Sequence, residues 1–392
     1  MEYDFDRLIE RRATNSAKWD RMEATYGVSP ADGLPMWVAD TDFAAAPVVL
    51  RALEAAAAHG VLGYTCDDNA YREAVAWWLS HRHGWDIDPG AVFTTNGLGN
   101  AVALILDTFT APGDEVILMT PVYHAFARIT RAAGRVVAER RLKLENGRYV
   151  MDFDAWAAQM TGRETAIILC SPHNPGGRVW TEAEQRQLAD FAEAHDLIVL
   201  SDEIHQDLVF PGARHRPFLS VVPEAAPRTV VLNAPSKTFN TAGVHCGQVV
   251  IPDSALRARF DTKMTALCLH PSSLGQDLTR AAYSPEGADW VDAQVAYLDA
   301  NRKALDAGFA AIPGVTSMPL EATYLAWVDF SGTGMTLPEI LARVQGQARI
   351  APNHGPTFGA GGESFLRFNF GTQRARVDEA VARLQAAFAD LQ

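Results

Sequence analysis

The sequence has few cysteines, no long hydrophobic run and no excess of basic residues, and each deficit narrows its class. Its four cysteines form no Cys-x-x-Cys pair and lack zinc-ligand spacing, so no metal site is predicted and a reducing compartment is favoured. No apolar run approaches the ~18 residues of a membrane span, and the acidic N-terminus lacks the apolar segment of a secretion signal. We therefore expect a soluble, cytoplasmic protein without a membrane partner.

The charge balance is acidic, with 47 Asp and Glu residues against 34 Lys and Arg residues and a formal net charge of −13. An acidic surface repels phosphate backbones, so no nucleic-acid partner is expected. The 392 residues are 48% hydrophobic, which is enough for one large core and a second domain.

Apolar strands alternate with helical patterns in the first two thirds of the chain. Strands are predicted at 115–119, 165–169, 197–200, 229–232 and 248–251, and a helix is predicted at 181–195. That helix opens with a capping box, in which Glu184 stands three residues after Thr181. The alternation predicts a three-layer α/β/α large domain with a mostly parallel sheet over residues 48–285.

The remaining segments have a different pattern. After the turn residues 284–287 the chain enters a long helical pattern, followed by strands at 324–328 and 365–369 with a helix at 337–344 between them. A last helix is predicted from about residue 377 to the end. These elements predict a smaller α+β domain over residues 286–392. Residues 1–47 have no long periodic segment and are predicted to form an N-terminal arm and part of the small domain.

Two glycines follow the short strand 92–94 and open a helical run. Gly97 and Gly99 would let backbone N–H groups approach an anion closely at a helix N-terminus, and a phosphate fits such a turn. The third glycine of the dinucleotide fingerprint is missing, so NAD is disfavoured. A tight turn without a ligand is the alternative.

Polar side chains also follow two other predicted strands at the same sheet edge. Asn174 lies in a Pro- and Gly-rich loop, and Asp202 follows the strand 197–200. A carboxylate at the mouth of an apolar strand needs a partner, for which a protonated pyridine nitrogen is suitable. His205 would contact such a ring. The alternatives are turn residues for Asn174 and Asp202 and a structural histidine for His205.

Lys237 follows the apolar run 229–232, which reads as a buried parallel strand. A lysine at the carboxyl end of such a strand can be desolvated, which would lower its pKa and make it a nucleophilic amine for a Schiff base with a carbonyl cofactor. The alternative is a solvated loop lysine. Arg367 lies mid-strand on the same face as Asn369, where it would bind a carboxylate or form an internal salt bridge.

The spacing of these residues is specific. Asp202 lies 28 residues after Asn174, and Lys237 lies 35 residues after Asp202. Over nearly its whole length the chain resembles fold-type I pyridoxal-phosphate enzymes, the aspartate aminotransferase superfamily. Within it the sequence is similar to the cystathionine β-lyase and C–S lyase subgroup of class II aminotransferase-like proteins. The matching segments are 12–20, 34–40, 121–124, 201–208 and 234–240, with histidine at 205 where many aminotransferases carry tyrosine.

The resemblance implies a role for each residue around the pyridoxal 5'-phosphate ring. Lys237 would form the Schiff base and shuttle protons, and Asp202 would pair with the pyridinium nitrogen. Tyr123 would stack on the ring face and is counted with these two as catalytic. Asn174 would bond the phenolic oxygen of the ring, and His205 would also contact the cofactor.

The resemblance further implies a phosphate site and a substrate site. Tyr64 would reach across a homodimer interface to the partner's cofactor. Arg367 and the backbone near Ala39 would bind the substrate α-carboxylate, with Asn174 beside them. The residues implied to hold the phosphate are Gly97, Leu98, Gly99 and Ser236.

Two positions depart from the family pattern. Many members carry a phosphate-binding arginine eight residues after the lysine, where this chain has His245. Phosphate anchoring must therefore depend on other groups. The segment 96–101 also differs from the Pro-Gly-Val-Val-Pro form that is usual in the subgroup, although backbone amides can still form the cradle.

The implied activity is α,β-elimination from L-cystathionine or a related cysteine S-conjugate, which gives a thiol, pyruvate and ammonia. Two other functions stay open. One is transamination on the same scaffold, and the other is a regulatory or binding protein that keeps the fold but does little catalysis. Retention of Lys237, Asp202, Asn174 and Arg367 argues against the latter.

Overall fold

The computed structural model describes residues 3–391. A seven-stranded sheet forms the centre of its larger part. The strands within this range are β1 (Leu34–Met36), β2 (Val92–Thr95), β3 (Glu115–Thr120), β4 (Val136–Arg141), β5 (Lys143–Glu145), β6 (Arg148–Val150), β7 (Glu164–Cys170), β8 (Ile198–Asp202), β9 (Thr229–Asn233), β10 (Gly247–Val250), β11 (Thr316–Ser317), β12 (Leu325–Asp329), β13 (Ile350–His354) and β14 (Phe365–Asn369).

The α-helices of the same range differ widely in length. They are α1 (Ala17–Asp20), α2 (Met22–Tyr26), α3 (Pro47–His59), α4 (Asn69–His83), α5 (Leu98–Phe109), α6 (Ala125–Ala132), α7 (Phe153–Ala157), α8 (Glu182–Ala194), α9 (Phe218–Val221), α10 (Pro235–Thr238), α11 (Ser254–Ala266), α12 (Ser273–Ala282), α13 (Pro285–Ala310), α14 (Leu337–Leu341) and α15 (Arg374–Ala387).

The large sheet has the order β2-β10-β9-β8-β7-β3-β4. The neighbours from β9 to β4 pair in parallel, and β10 alone runs antiparallel to both β2 and β9. Helices cover both faces, and this explains why the strands are continuous apolar runs rather than alternating ones. Within β3, Ile117 packs in one hydrophobic cluster and Leu118 packs in the other, on opposite faces of the sheet. The predicted α/β class with a mostly parallel sheet is confirmed.

A second sheet has the order β1-β13-β14-β12-β11. Strand β1 comes from the N-terminal segment and pairs in parallel with β13, while the other neighbours are antiparallel. Strand β14 carries Arg367 and Asn369, whose side chains bond to backbone carbonyls of residues 37–40. The sheet therefore holds the N-terminal segment against the carboxyl ends of the large sheet, where the candidate site lies.

Most predicted elements agree with the structure. The capping box at Thr181 and Glu184 is present, and α8 follows it. The helix predicted at 337–344 is α14 continued by a π-helical turn, Ala342–Gln347. The last helix begins earlier than predicted, at Arg374, and ends at Ala387. The predicted arm and last helix include residues 1–2 and 392, which lie outside the described residues.

No helix within residues 3–391 has both the length and the apolar character needed to cross a membrane. The long helix α13, of 26 residues, carries charged side chains along its length.

Candidate active site

A cavity of about 380 Å³ lies where the large sheet's strands β7 and β8 end. Cys170 and Asp202 are the last residues of these two strands, and both line it. Helix α10 follows β9 after a single residue and brings its lysine to the same cavity. The predicted site residues that line it are Ala39, Gly97, Leu98, Gly99, Tyr123, Asn174, Asp202, His205, Ser236 and Lys237.

Lys237 occupies the short helix α10, which begins at Pro235, with one residue between it and the end of the buried strand β9. Its Nζ atom donates a hydrogen bond of 2.7 Å to the carbonyl oxygen of Ala39. Burial lowers the pKa of Lys237 to about 8, because a charged ammonium loses hydration there. The nearby carboxylates of Asp40 and Asp202 oppose this shift of the lysine pKa. Near pH 8 a large fraction of the amine is therefore unprotonated and nucleophilic.

The carboxylate of Asp202 is buried at the end of β8 and accepts one hydrogen bond, of 3.1 Å, from the backbone N–H of Ile204. Burial raises the pKa of Asp202 to about 7, against the opposing effects of that hydrogen bond and of Lys237. A buried carboxylate binds a cationic or N–H partner strongly, because the partner replaces the hydration that burial removed.

His205 lies one turn beyond Asp202 and is also buried. Burial lowers its pKa to about 3, and the charges of Lys237 and Arg367 act in the same direction. The imidazole is therefore neutral at physiological pH. Its Nδ1 atom is buried and has no hydrogen-bond partner among residues 3–391, so one polar atom of the cavity wall is left for a ligand.

Arg367 on β14 does not line the cavity but bonds to Asn174, which does. Its Nη1 atom donates to Asn174 Oδ1 at 2.9 Å, and its Nη2 atom donates to the carbonyl oxygen of Trp37 at 2.7 Å and to Asn353 Oδ1. Burial lowers the pKa of Arg367 to about 10. Within the described range it forms no ion pair, so the alternative of an internal salt bridge is wrong. A buried guanidinium with only neutral partners is suited to an incoming carboxylate.

The glycine turn lies before α5. Gly97 has φ +83°, in the region that favours glycine, and α5 begins at the next residue. A methyl group built on Gly247 of the neighbouring strand would meet Leu98 Cδ2 at 2.8 Å, so this close approach also requires glycine. Twelve residues of helix then align their peptide dipoles, with the positive end at the cavity.

Tyr123 lines the cavity just before α6, with its ring against Phe126 at a centroid distance of 5.4 Å. Burial raises the pKa of its hydroxyl, so the side chain is neutral. Tyr64, by contrast, does not line this cavity. It is fully exposed in a segment between α3 and α4 and borders a separate surface cleft.

The N-terminal segment is fixed by groups whose roles the sequence did not reveal. Asp42 is buried and accepts hydrogen bonds from Lys18 at 2.9 Å and from Arg11 at 2.7 Å. Asn240, three residues after the lysine, donates to the carbonyl oxygen of Thr41 at 2.9 Å. Motif position was the only available signal for these residues, since they lie in the segments 12–20, 34–40 and 234–240 or next to them.

A buried polar network lies behind the lysine. Asp207 accepts hydrogen bonds from His83 Nε2 at 2.8 Å, from Trp78 Nε1 at 3.1 Å and from Thr238 Oγ1 at 3.0 Å. Thr238 is the neighbour of Lys237, so the network holds the turn that carries the amine. Burial alone would raise the pKa of Asp207, but the hydrogen bond and charge of His83 hold it below its ordinary value.

Comparison with known proteins agrees with this geometry. The family model described as aminotransferase class I and II matches residues 38–384. Cystathionine beta-lyase PatB of Bacillus subtilis is 35% identical over 98% of this chain and 99% of its own length. Protein MalY of Escherichia coli is 32% identical over 97% of this chain and 98% of its own length.

The fold is likewise similar to solved structures over its whole length. Cystalysin from Treponema denticola, a structure that contains a pyridoxal 5'-phosphate cofactor, superimposes with a TM-score of 0.94 at 34% sequence identity. The superposition covers 100% of both chains.

Proposed function

The chain belongs to the aminotransferase class I and II family, and we propose that within it the protein is a pyridoxal-phosphate-dependent carbon–sulfur β-lyase. Its substrate is L-cystathionine or a related cysteine S-conjugate, and its products are a thiol, pyruvate and ammonia. The observation that carries the proposal is that Lys237, with its lowered pKa, shares one cavity with the buried carboxylate of Asp202.

The side chains of the cavity fit the parts of pyridoxal phosphate. One oxygen of Asp202 is bonded to Ile204 N–H, which leaves the other for the pyridine nitrogen. Asn174 Oδ1 is held by Arg367, so its amide N–H groups are available to the phenolic oxygen. Tyr123 and His205 contribute rings to the wall. The phosphate would bind at the glycine turn Gly97–Gly99 and at Ser236.

When bound, pyridoxal phosphate supplies an electron sink for charge that develops at the substrate Cα atom. Lys237 acts as general base and takes the Cα proton on Nζ, a role that suits an amine whose pKa is about 8. Asp202 stabilises positive charge at the ring nitrogen. Arg367 binds the substrate α-carboxylate, and the carbonyl oxygen of Ala39 keeps the amine of Lys237 in place.

Transamination is the second candidate, because the same residues would generate the same negative charge at Cα before the two reactions diverge. The lyase is preferred because the relative that is 35% identical is named a cystathionine beta-lyase. Histidine at 205, the residue type of that subgroup, supports the same choice.

Incubation of the holoenzyme with L-cystathionine, with and without a 2-oxo acid, separates the two reactions. A β-lyase releases pyruvate and thiol in equal amounts without an acceptor. An aminotransferase needs the 2-oxo acid and releases no thiol. The Lys237→Ala variant serves as the control for turnover that does not use this site. Product formation that depends strictly on the 2-oxo acid would replace the lyase with the aminotransferase.

We propose that the protein is a cytoplasmic homodimer with residues 48–285 as the cofactor-binding domain, residues 286–392 as the small domain, and residues 1–47 as an arm and part of the latter. Tyr64 is fully exposed beside the exposed apolar residues Val61 and Leu62, as expected of a segment that a partner covers. If Tyr64 acts in the partner's site, Tyr64→Ala and Lys237→Ala chains should regain turnover when co-expressed. Co-expressed chains whose turnover does not exceed that of the two single variants would contradict this arrangement.

A further inference from the structure

The cavity that the glycine turn Gly97–Gly99 lines is also lined by an arginine to which the proposed function assigns no role. Arg128 lies on α6 and lines the same cavity as Lys237. Helix α6 packs against the start of α5, because a methyl group built on Gly99 would lie 3.6 Å from Ile129 Cδ1. Arg128 and Ile129 both line the cavity, together with the glycine turn Gly97–Gly99.

The amine of Lys237 and the guanidinium of Arg367 already have partners. Lys237 donates to Ala39, and Arg367 donates to Asn174 and Trp37. Arg128 is an exposed residue, and its guanidinium forms no ion pair and no hydrogen bond with any of residues 3–391. The glycine turn contributes only the partial charge of a helix N-terminus, about half an elementary charge, against a phosphate that carries nearly two. A full positive charge nearby would neutralise more of the phosphate charge.

His245 is the competing candidate. It occupies the position eight residues after the lysine and lies on the other side of the turn, where its Nδ1 atom would be 3.6 Å from a methyl group built on Gly97. Its backbone is left-handed, with φ +55°. A guanidinium keeps its charge at every physiological pH and binds phosphate through two parallel hydrogen bonds, whereas an imidazole does neither.

We propose that Arg128 is the cation that neutralises the phosphate of the cofactor, in place of the arginine that is absent at position 245. The proposal rests on the proposed function, since it assumes that pyridoxal phosphate is the ligand of this cavity. It assigns the anchoring charge to α6 rather than to the loop after Lys237.

The test compares pyridoxal 5'-phosphate with pyridoxal, which lacks only the phosphate. Dissociation constants of both compounds are measured on the apoenzyme through the quenching of tryptophan fluorescence. In Arg128→Gln, the constant for pyridoxal 5'-phosphate should rise about 10- to 100-fold, the effect of one lost charge-assisted pair. The constant for pyridoxal should change less than about threefold on the same reasoning, and this also shows that the variant folds.

Two further variants complete the experiment. Arg131→Gln, on the same helix but outside the cavity lining, should change neither constant. The inference is overturned if the ratio of the dissociation constant of pyridoxal to that of pyridoxal 5'-phosphate is unchanged in Arg128→Gln. It is also overturned if this ratio falls in His245→Gln instead. If the parent protein binds pyridoxal as tightly as pyridoxal 5'-phosphate, the inference about Arg128 fails but the proposed function does not. If it binds neither compound, the proposed function fails and the inference fails with it.

Discussion

Lys237 Nζ lies 2.7 Å from the carbonyl oxygen of Ala39, so an uncharged acceptor of the N-terminal segment holds the amine of the lysine. A carboxylate at that distance would stabilise the ammonium form and raise the lysine pKa. A carbonyl oxygen stabilises the ammonium form less, so the effect of burial dominates and the pKa of Lys237 is about 8. The contact therefore positions the amine while leaving much of it unprotonated.

Replacement of Lys237 should separate activity from stability. Lys237→Ala is expected to abolish pyruvate release and the visible absorbance of the bound cofactor. Lys237→Met should stabilise the apoprotein at pH 7 by about 1–3 kcal/mol, because it removes a charge whose burial is unfavourable. Urea denaturation of the apoprotein measures the second effect.

The pH dependence of the stability gained in Lys237→Met follows from the direction of the pKa shift of Lys237. Between pH 8 and the ordinary lysine value of 10.5, the folded parent has lost its proton while the unfolded chain still holds it. The stability of the parent therefore rises with pH across this window. The advantage of Lys237→Met should shrink accordingly, and an advantage that stays constant from pH 7 to pH 10 would contradict the assignment.

Asp202→Asn should lower kcat by about 10²–10³-fold, the range found when one preorganised electrostatic partner is removed. The asparagine can still accept the hydrogen bond from Ile204 N–H, so the fold of the loop should persist. Steady-state pyruvate release measures the effect, and Asp202→Glu should keep part of the activity because it keeps the charge. Parental kcat in the asparagine variant would exclude Asp202 as the partner of the ring nitrogen.

Arg367→Gln should raise KM for cystathionine more than it lowers kcat, because the substrate carboxylate loses its buried partner at a cost of about 2–5 kcal/mol. The binding of an amine that lacks the carboxylate should change little. Arg374→Gln, at an exposed pair with Asp378, is the matched control and should keep the parental KM. A KM increase of equal size for the amine would show that Arg367 supports the fold rather than the carboxylate.

How much of this site the sequence could predict depends on the range of the contacts. The sequence predicts Asp202 and Lys237 at one edge of the sheet, because each follows an apolar strand and parallel strands end together. The bond between Arg367 and Asn174 joins residues 193 positions apart, and no local pattern encodes such a contact. The addition of β1 to β13 is equally non-local. Arg128 also escaped prediction, because the packing of α6 on α5 decides which helix face meets the cavity.

Asp207 lies among donors that would be left without a partner if it were removed. Asp207→Ala would leave His83, Trp78 and Thr238 buried with unmade hydrogen bonds, which costs about 3–5 kcal/mol in comparable buried networks. The unfolding free energy measured in urea at pH 7 should fall by this amount. Because the folded-state pKa of Asp207 is depressed, its contribution is present above the unfolded value and is lost as pH falls.

The control is Asp292, the second carboxylate that Arg82 contacts besides Asp207. Arg82 lies 3.7 Å from buried Asp207 and 2.8 Å from Asp292, which is 68% exposed. Asp292→Ala should therefore change stability by less than about 1 kcal/mol, as exposed pairs do. The difference between the two variants should narrow towards acidic pH, where Asp207 becomes protonated. Equal losses in both variants would mean that the arginine pair, and not the buried network behind Lys237, stabilises this region.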